Sequence, residues 1–401
     1  MKRIKRQGGV QMAKVNFDQV INRKNTASVK WDIMKLVYGK DDLLPMWVAD
    51  MDFLPPAQVT EAIKKRIEHG IYGYTFAPPS TAGAIQSWLW KRHQWEIDTS
   101  WIVYSPGVVP AIGTVIQALT APGDRVMLQS PVYTPFFDMI KRNGRVIVNA
   151  PLTLENGRFA INFTEFEQKL KEGVKLFLLC NPHNPGGRVW TKAELLKIGE
   201  LCLQYNCIIL SDEIHSDLIF RPNVHVPIAS LSEELKRQVI TCVAPSKTFN
   251  IAGLQASAII TANEKWRAAV KNVQSRQGTS SLNVFGIAAM EAAYLYGEEW
   301  LEELLIYLKG NLETAKSYIE ENIPKLRLME PEGTYLLWID CRLLGLSDQE
   351  IQEKLLNVGK LALEPGKKYG PGGEGFVRMN LGCPREILMD GLGRLKKAFA
   401  M

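Results

Sequence analysis

Lys247 stands in the run Ala244-Pro245-Ser246-Lys247-Thr248-Phe249-Asn250, just after the apolar stretch VITCV. A lysine that leaves a core strand and enters a crevice can condense with a carbonyl group as a Schiff base. Taken alone, it reads better as a surface lysine. Ser211-Asp212-Glu213-Ile214-His215 follows the stretch CIIL. An acid at the end of a buried strand is costly without a partner. A protonated pyridine nitrogen is a suitable one, and the carboxylate would turn such a ring into a strong electron sink. The alternative is a helix-capping Asp. His215 either faces a phenolic oxygen of such a ring or is an ordinary hydrogen-bonded histidine.

Two further runs belong with these. Asn181-Pro182-His183-Asn184-Pro185-Gly186-Gly187 follows KLFLLC, and its two Asn-Pro pairs fix a tight loop. That loop is a structural turn or a means of presenting Asn184 to a ring oxygen. Tyr104-Ser105-Pro106-Gly107-Val108-Val109 reads as strand end, turn and helix start. Free N–H groups at a helix N-terminus attract phosphate, although a plain strand-to-helix turn has the same spelling. The order and spacing of all four runs favour the chemical reading of Lys247 over the surface one.

The elements that must position them form an alternating pattern. Apolar runs lie at 125–129, 145–149, 175–180, 206–211, 238–243 and 256–261. Helical or turn-rich segments at 132–143, 163–171, 191–205 and 231–237 separate them. This is an α/β arrangement with a mostly parallel sheet, in which ligands bind at the carboxyl ends of strands. The wholly apolar centre of NCIILS (206–211) predicts a central strand. Residues 12 to about 50 look irregular and include Trp31, Trp47 and most of the acidic, aromatic run Leu44–Phe53; such an arm needs a surface to rest on, of its own chain or of a partner. PAQVTEAIKKRIEHG predicts a helix closed by Gly70, with Val59, Ile63 and Ile67 on one face. Further helices are expected from Ala82 to about Gln94 and over 109–120.

The last third reads differently. Helices are expected over 281–296 and from Glu298 to Glu321, the latter with Leu301, Leu304, Leu305, Leu308, Leu312, Ala315 and Ile319 on one stripe. Strands at Leu326–Met329, Tyr335–Asp340 and Gly375–Asn380, a helix at Asp348–Val358 and a terminal helix complete a smaller α+β domain. The expected division is an arm and part of the small domain at 12–50, a large cofactor-binding domain at 51–290, and a small domain at 291–401.

Composition sets outer limits. The 401 residues are 46% hydrophobic, enough for a large core and more than one small domain. No stretch of eighteen apolar residues suggests a membrane span. Met1–Gln11 is basic but lacks the apolar run of a signal peptide, so a cytoplasmic protein is expected. Four of the six surplus positive charges are Lys2, Arg3, Lys5 and Arg6, in a tip that is an extended start or a disordered tail ahead of Met12. Basic residues elsewhere alternate with acids, which argues against nucleic-acid binding. The six cysteines form no close CxxC pair and read as reduced, buried residues; no metal site is expected.

These runs together resemble the fold-type-I pyridoxal-phosphate enzymes of the class I/II aminotransferase superfamily. More narrowly, the chain is similar to the cystathionine beta-lyase (C–S lyase) branch. That narrower likeness rests on Asn25-Thr26 with Ser28 and Lys30-Trp31-Asp32, and on Leu44-Pro45-Met46-Trp47-Val48-Ala49-Asp50-Met51-Asp52-Phe53. It rests also on Tyr72-Gly73-Tyr74, on the runs 181–187 and 211–215, and on Val377-Arg378-Met379-Asn380-Leu381-Gly382-Cys383-Pro384. The resemblance implies a large domain with a mostly parallel seven-stranded sheet plus a smaller α+β domain.

It also implies roles. Lys247 would bind pyridoxal 5'-phosphate and then shuttle protons, and Asp212 would pair with the pyridine nitrogen. Asn184 and His215 would face the phenolic oxygen, and Tyr133 would stack on the ring. Val108, Val109 and Ser246 would hold the phosphate, with Tyr74 reaching it from a neighbouring subunit, although Tyr72 competes for that role. Arg378, with Asn184 and Tyr133 nearby, would grip the substrate's α-carboxylate. One position departs from the wider family: many aminotransferases have an Arg eight residues after the lysine, and Gln255 stands here. The implied reaction is α,β-elimination of L-cystathionine, and of cysteine or S-substituted cysteines, to thiol, pyruvate and ammonia. The alternative is amino transfer to a 2-oxo acid. The resemblance further implies a homodimer with shared sites, and in some members a regulatory protein contact, for which this sequence identifies no partner.

Overall fold

The computed structural model describes residues 15–399; the basic tip and the second start at Met12 lie outside the described residues. Seven strands form the main sheet: β1 (Ile102–Ser105), β2 (Arg125–Leu128), β3 (Val146–Asn149), β4 (Val174–Cys180), β5 (Ile208–Asp212), β6 (Val239–Val243) and β7 (Ser257–Ile260). Their order is β1-β7-β6-β5-β4-β2-β3. All neighbours are parallel except β7, which runs antiparallel to both β1 and β6. The run NCIILS thus supplies the middle strand, as its apolar centre requires. Along each strand alternate residues face opposite sides. Met127, Phe177, Leu179 and Ile209 join the core on one face, and Leu128, Leu176, Leu178 and Leu210 the core on the other.

Because the parallel strands all end at one edge, their following loops collect there. β7 begins at that edge instead, so Gln255, two residues before it, arrives at the same place. The helix Val108–Leu119 buries Ala111, Ile112, Val115 and Ile116 against the sheet. A second helix, Glu264–Gln277, packs beside it and was not expected from sequence. Its apolar stripe is short, Trp266, Ala269, Val270 and Val273, and only Val270 of it is fully buried; the Gln274 amide also donates to the Tyr104 carbonyl at 2.7 Å. The hairpin Thr153–Glu155 with Arg158–Ala160 was likewise passed over.

A second sheet contains β8 (Arg327–Met329), β9 (Leu336–Asp340), β10 (Glu364–Pro365) and β11 (Phe376–Asn380), antiparallel in the order β8-β9-β11-β10. The long helix Glu298–Asn322 carries the expected buried stripe, with Leu305 at its half-buried margin. The helix expected at 348–358 ends its α-helical part at Glu353 and continues as a wider π turn to Gly359.

The arm is more ordered than its composition suggested. It holds two short helices, Val29–Asp32 and Met34–Tyr38, and Leu44–Pro45 pairs in parallel with Leu361–Ala362. The Asp32 carboxylate accepts the N–H groups of Asn25, Thr26 and Ser28, closing a turn in which Asn25 and Ala27 have positive φ. Lys30 is 1% exposed and lies 2.6 Å from the Asp52 carboxylate. Arg23 bridges Asp50 and Asp52, each at 2.7 Å, and the Trp31 indole N–H donates to Asp52 at 3.0 Å. The two sequence runs that carried the narrower resemblance are therefore one ion-paired unit. Burial pushes the Asp52 carboxyl up, but Lys30, Trp31 and Arg23 outweigh it and hold the group below the ordinary range. A folded-state pKa below the unfolded one adds stability that is present above pH ~4 and lost on further acidification. Replacing Asp52 with Ala leaves the buried Lys30 ammonium only the longer contact with Asp50, 3.8 Å away, at a cost of about 3 kcal/mol. Denaturant unfolding of Asp52→Ala checks this; a loss under 1 kcal/mol contradicts it.

Candidate active site

A cavity of about 300 Å³ opens at the carboxyl edge of the main sheet. Its walls come from the loops after β1, β2, β4, β5 and β6, from the turn before β7, and from Ala49 of the arm. Lys247, Asp212, Tyr133, Asn184, His215, Ser246, Val108 and Val109, which lie far apart in sequence, all line it. Gln255 does too.

Each arrives for a local reason. Asp212 is the last residue of β5, and the chain turns at once. Its carboxylate accepts the Ile214 N–H at 3.1 Å, so the capping reading was partly right, but the acceptor closes a turn and not a long helix. The side chain has no other hydrogen-bond donor among the described residues. Asn184 sits in a loop that folds back on itself through His183 N–H to Arg188 O and Gly187 N–H to His183 O, both 2.8 Å. Gly187 has φ +67° and leaves no room for a Cβ, which would lie 2.5 Å from Pro331. Lys247 lies in the short helix Pro245–Thr248 that begins as β6 ends. Thr248 anchors that turn by donating to buried Asp217, 2.8 Å away, which also accepts from the Trp88 indole and pairs with His93.

The electrostatics of the cavity are unusual. Burial lowers the Lys247 pKa to about 8, helped by the positive charge of Arg378 and opposed by Asp50 and Asp212. Its Nζ donates to the Ala49 carbonyl at 2.5 Å. Burial raises the Asp212 carboxyl to about 7, against the Ile214 N–H and the charge on Lys247. His215 is driven well below its ordinary range by burial and then by Lys247 and Arg378, so its imidazole is neutral. Its Nδ1 is buried without a partner among the described residues. Burial pushes the Tyr133 phenol up to about 12.

One end of the cavity suits an anion. Gly107 precedes the helix Val108–Leu119, whose first N–H groups have no intrahelical acceptor, and the Ser246 hydroxyl and Gln255 lie on the same wall. The other end has the under-partnered Asp212 carboxyl, which suits a cationic N–H. Lys247 is the only cation among the lining residues.

Arg378 adjoins the cavity through Asn184, whose Oδ1 accepts its Nη1–H at 3.1 Å. Its Nη2–H donates to the Trp47 carbonyl at 2.7 Å, Glu364 lies 3.6 Å away across the β10–β11 pair, and the guanidinium sits 5.3 Å from the Tyr369 ring centre. Its Nε is buried and unpartnered among the described residues. Tyr74 is not brought to this cavity. It is fully exposed and borders a separate hollow with Tyr72 and residues 281–284. The Tyr72 hydroxyl is already committed to the Ile67 carbonyl at 3.1 Å.

Sequence reading missed the groups that hold the wall at Ala49. The Tyr335 hydroxyl donates to the same carbonyl as Lys247, at 2.9 Å. Asn250 accepts from Met51 N–H and donates to the Met51 and Phe53 carbonyls; Asn380 donates to the Val48 and Asp50 carbonyls. Asn250 and Asn380 lie inside runs already singled out, so their signal was present. Tyr335 sits in an ordinary strand run and had none.

Comparison with known proteins follows the same outline. The model of the family "Aminotransferase class I and II" matches residues 42–395. Cystathionine beta-lyase PatB of Bacillus subtilis is 49% identical over 387 residues, which is 96% of this chain and all of that protein. Protein MalY of Escherichia coli is 34% identical over 96% of this chain and 98% of its own. The crystal structure of cystalysin from Treponema denticola, which contains a pyridoxal 5'-phosphate cofactor, superposes with a TM-score of 0.92 at 36% identity, covering 96% and 99% of the two chains.

The depressed pKa of Lys247 has a direct readout. Only the neutral amine attacks an electrophile, so reactivity rises as pH passes through the folded pKa. With no carbonyl compound present, labelling of Lys247 by an amine reagent, followed by peptide mass spectrometry, reaches half its plateau near pH 8. A midpoint above pH 10, the range of an ordinary lysine, overturns the assignment.

Proposed function

We propose that this chain, which belongs to the aminotransferase class I and II family, is a pyridoxal-phosphate-dependent carbon–sulfur β-lyase. Its substrate is L-cystathionine, with cysteine or S-substituted cysteines as further substrates. The overall reaction takes up one water and releases homocysteine, pyruvate and ammonia. The carrying observation is the full-length likeness to a cystathionine beta-lyase. What further supports it is that the segment distinguishing this branch touches the reactive groups: the Ala49 carbonyl meets Lys247, and the Trp47 carbonyl meets Arg378.

The residues fit the cofactor. Val108 and Val109 N–H with the Ser246 hydroxyl would hold its phosphate, with Gln255 as a neutral neighbour. Asp212 would carry the charge opposite its ring nitrogen, Asn184 and His215 would face its phenolic oxygen, and Tyr133 would cover its ring. When bound, pyridoxal phosphate supplies the electron sink for the charge left as the substrate's α-proton departs. The chain does the rest. Arg378 and Asn184 hold the α-carboxylate and so fix which bond faces Lys247. The Lys247 amine, neutral in a useful fraction near pH 8, takes the α-proton at Nζ and then returns a proton to the departing sulfur. Ala49 and Tyr335 define where that amine rests before and after. Tyr133 and the arm segment cover the site and keep water from it.

Two wider features belong to the same reading. The exposed apolar run Ile71, Tyr72, Tyr74 and Phe76 suits burial against a second copy, which would bring Tyr74 to the neighbouring phosphate. A monomer in sedimentation equilibrium at micromolar concentration argues against that dimer. The six free, buried cysteines suit the reducing cytoplasm.

The decisive assay is pyruvate formation from L-cystathionine with no 2-oxo acid added. Wild-type protein forms pyruvate and thiol in equal amounts, and Lys247→Ala loses roughly 10²–10⁴-fold in kcat or more. Turnover that waits for a 2-oxo acid identifies an aminotransferase instead. Undiminished pyruvate from Lys247→Ala removes the lysine from the mechanism.

A further inference from the structure

A second cavity, of about 340 Å³, neighbours the first, and Ala252 borders both. It is bordered by Arg23, Asp50 and Asn250 among others, and no step above uses it. Its distance from the chemistry is short. Lys247 Nζ is bonded to the Ala49 carbonyl, and the next residue is Asp50, near enough for its charge to favour the protonated lysine.

The polar groups there are ordered but not used up. Arg23 and Asp50 face each other through two hydrogen bonds, 3.1 Å and 2.7 Å. These occupy one acceptor site on each Asp50 oxygen. Each carboxylate oxygen has a second. Arg23 spends its two Nη groups on Asp50, Asp52, Ser28 and the Met51 carbonyl, and its Nε–H has no partner among the described residues. Both side chains remain about one-fifth exposed, at 22% and 23%, although their neighbours Lys30 and Asp52 are sealed. The two cations and two carboxylates of the cluster balance. Such a site gives a bare ion no net attraction, but it suits a neutral group with both signs of charge.

We propose that this cavity is the subsite for the distal end of the substrate, with Asp50 accepting the α-ammonium and Arg23 Nε–H meeting the α-carboxylate of the departing homocysteine half. The proposal rests on the lyase reading. The first cavity takes the cofactor and the reacting cysteine half. The other half of a cystathionine-like thioether ends in an α-amino-acid group, and Asp50 with Arg23 presents the complementary pair. Cysteine and S-methylcysteine have no such end and would leave the subsite empty. Asp50 and Arg23 are thus specificity residues that touch the leaving group and leave the bond-breaking atoms to Lys247.

The test compares three substrates on the holoenzyme, read as thiol release. L-cystathionine carries both distal charges, S-(3-carboxypropyl)-L-cysteine lacks only the distal ammonium, and S-methyl-L-cysteine lacks both. Wild-type kcat/KM for cystathionine should exceed that for the carboxypropyl analogue at least about tenfold, mainly through KM, because a site built for a polar group rejects its absence. In Asp50→Asn the ratio of cystathionine to S-methylcysteine should fall about tenfold, and the preference over the analogue should vanish. Equal wild-type kcat/KM for cystathionine and the analogue overturns the subsite, and that result needs no variant. A uniform loss on all three substrates in Asp50→Asn also overturns it, assigning Asp50 to the ion cluster alone. Thiol release from none of the three overturns the lyase reading itself, whereas turnover without discrimination overturns only this one.

Discussion

Residues 46 to 53 are an irregular, largely buried piece of backbone reached by side chains from both sheets and their loops, and its peptide groups must find partners there. An unpaired buried N–H or C=O costs about as much as a lost hydrogen bond. Neither sheet supplies a ladder for most of them. Side chains do so instead: Arg378 and Asn380 from β11, Tyr335 from just before β9, Asn250 from the turn after Lys247, and Lys247 itself. Satisfying this strand-less segment ties the lysine of the main sheet to the arginine of the second sheet. The distance between these two side chains is set by the same bonds.

The ion cluster of the arm serves the same end from outside. Lys30 and Arg23 hold Asp50 and Asp52, two residues of that segment. A buried ion pair adds little to stability compared with a well-packed apolar pair, but it is demanding about position. Here that demand falls on a loop with no regular structure to fix it. The backbone at Ala49 is located from one side by hydrogen bonds and from the other by charge.

Much of this was legible in the sequence because its causes are local. The four strand-end runs are visible from their neighbours, since an apolar run followed by Asp212 or Lys247 marks a strand end wherever the strand lies. The sheet order is not local, so the arrival of Gln255 at the cavity follows only from β7 being antiparallel. The helix Glu264–Gln277 was missed although Trp266, Ala269, Val270 and Val273 share one face, because its remaining residues are mostly charged or polar and only Val270 of that face is fully buried. Tyr335 was missed because a tyrosine in a strand is usually a packed ring, and only tertiary contact turns its hydroxyl toward Ala49. The arm was underrated for a related reason. Its order comes from ion pairs with residues twenty or more positions away, which periodicity cannot register.

The cysteines have a bearing on the chemistry that their burial alone does not suggest. All six are free and buried. Burial raises the pKa of Cys180, Cys202, Cys242, Cys341 and Cys383 above the ordinary thiol range. Exchange of sulfur between molecules runs through the thiolate, and through contact with it. An enzyme that releases thiols works beside the disulfides those thiols form once an oxidant reaches them, and a protein thiolate attacks such disulfides, expelling one of the two thiols. Cys180 even lines the cavity that holds Lys247. With all six thiols buried and five of them raised above the ordinary range, the fold limits mixed disulfides between the catalyst and its oxidised product.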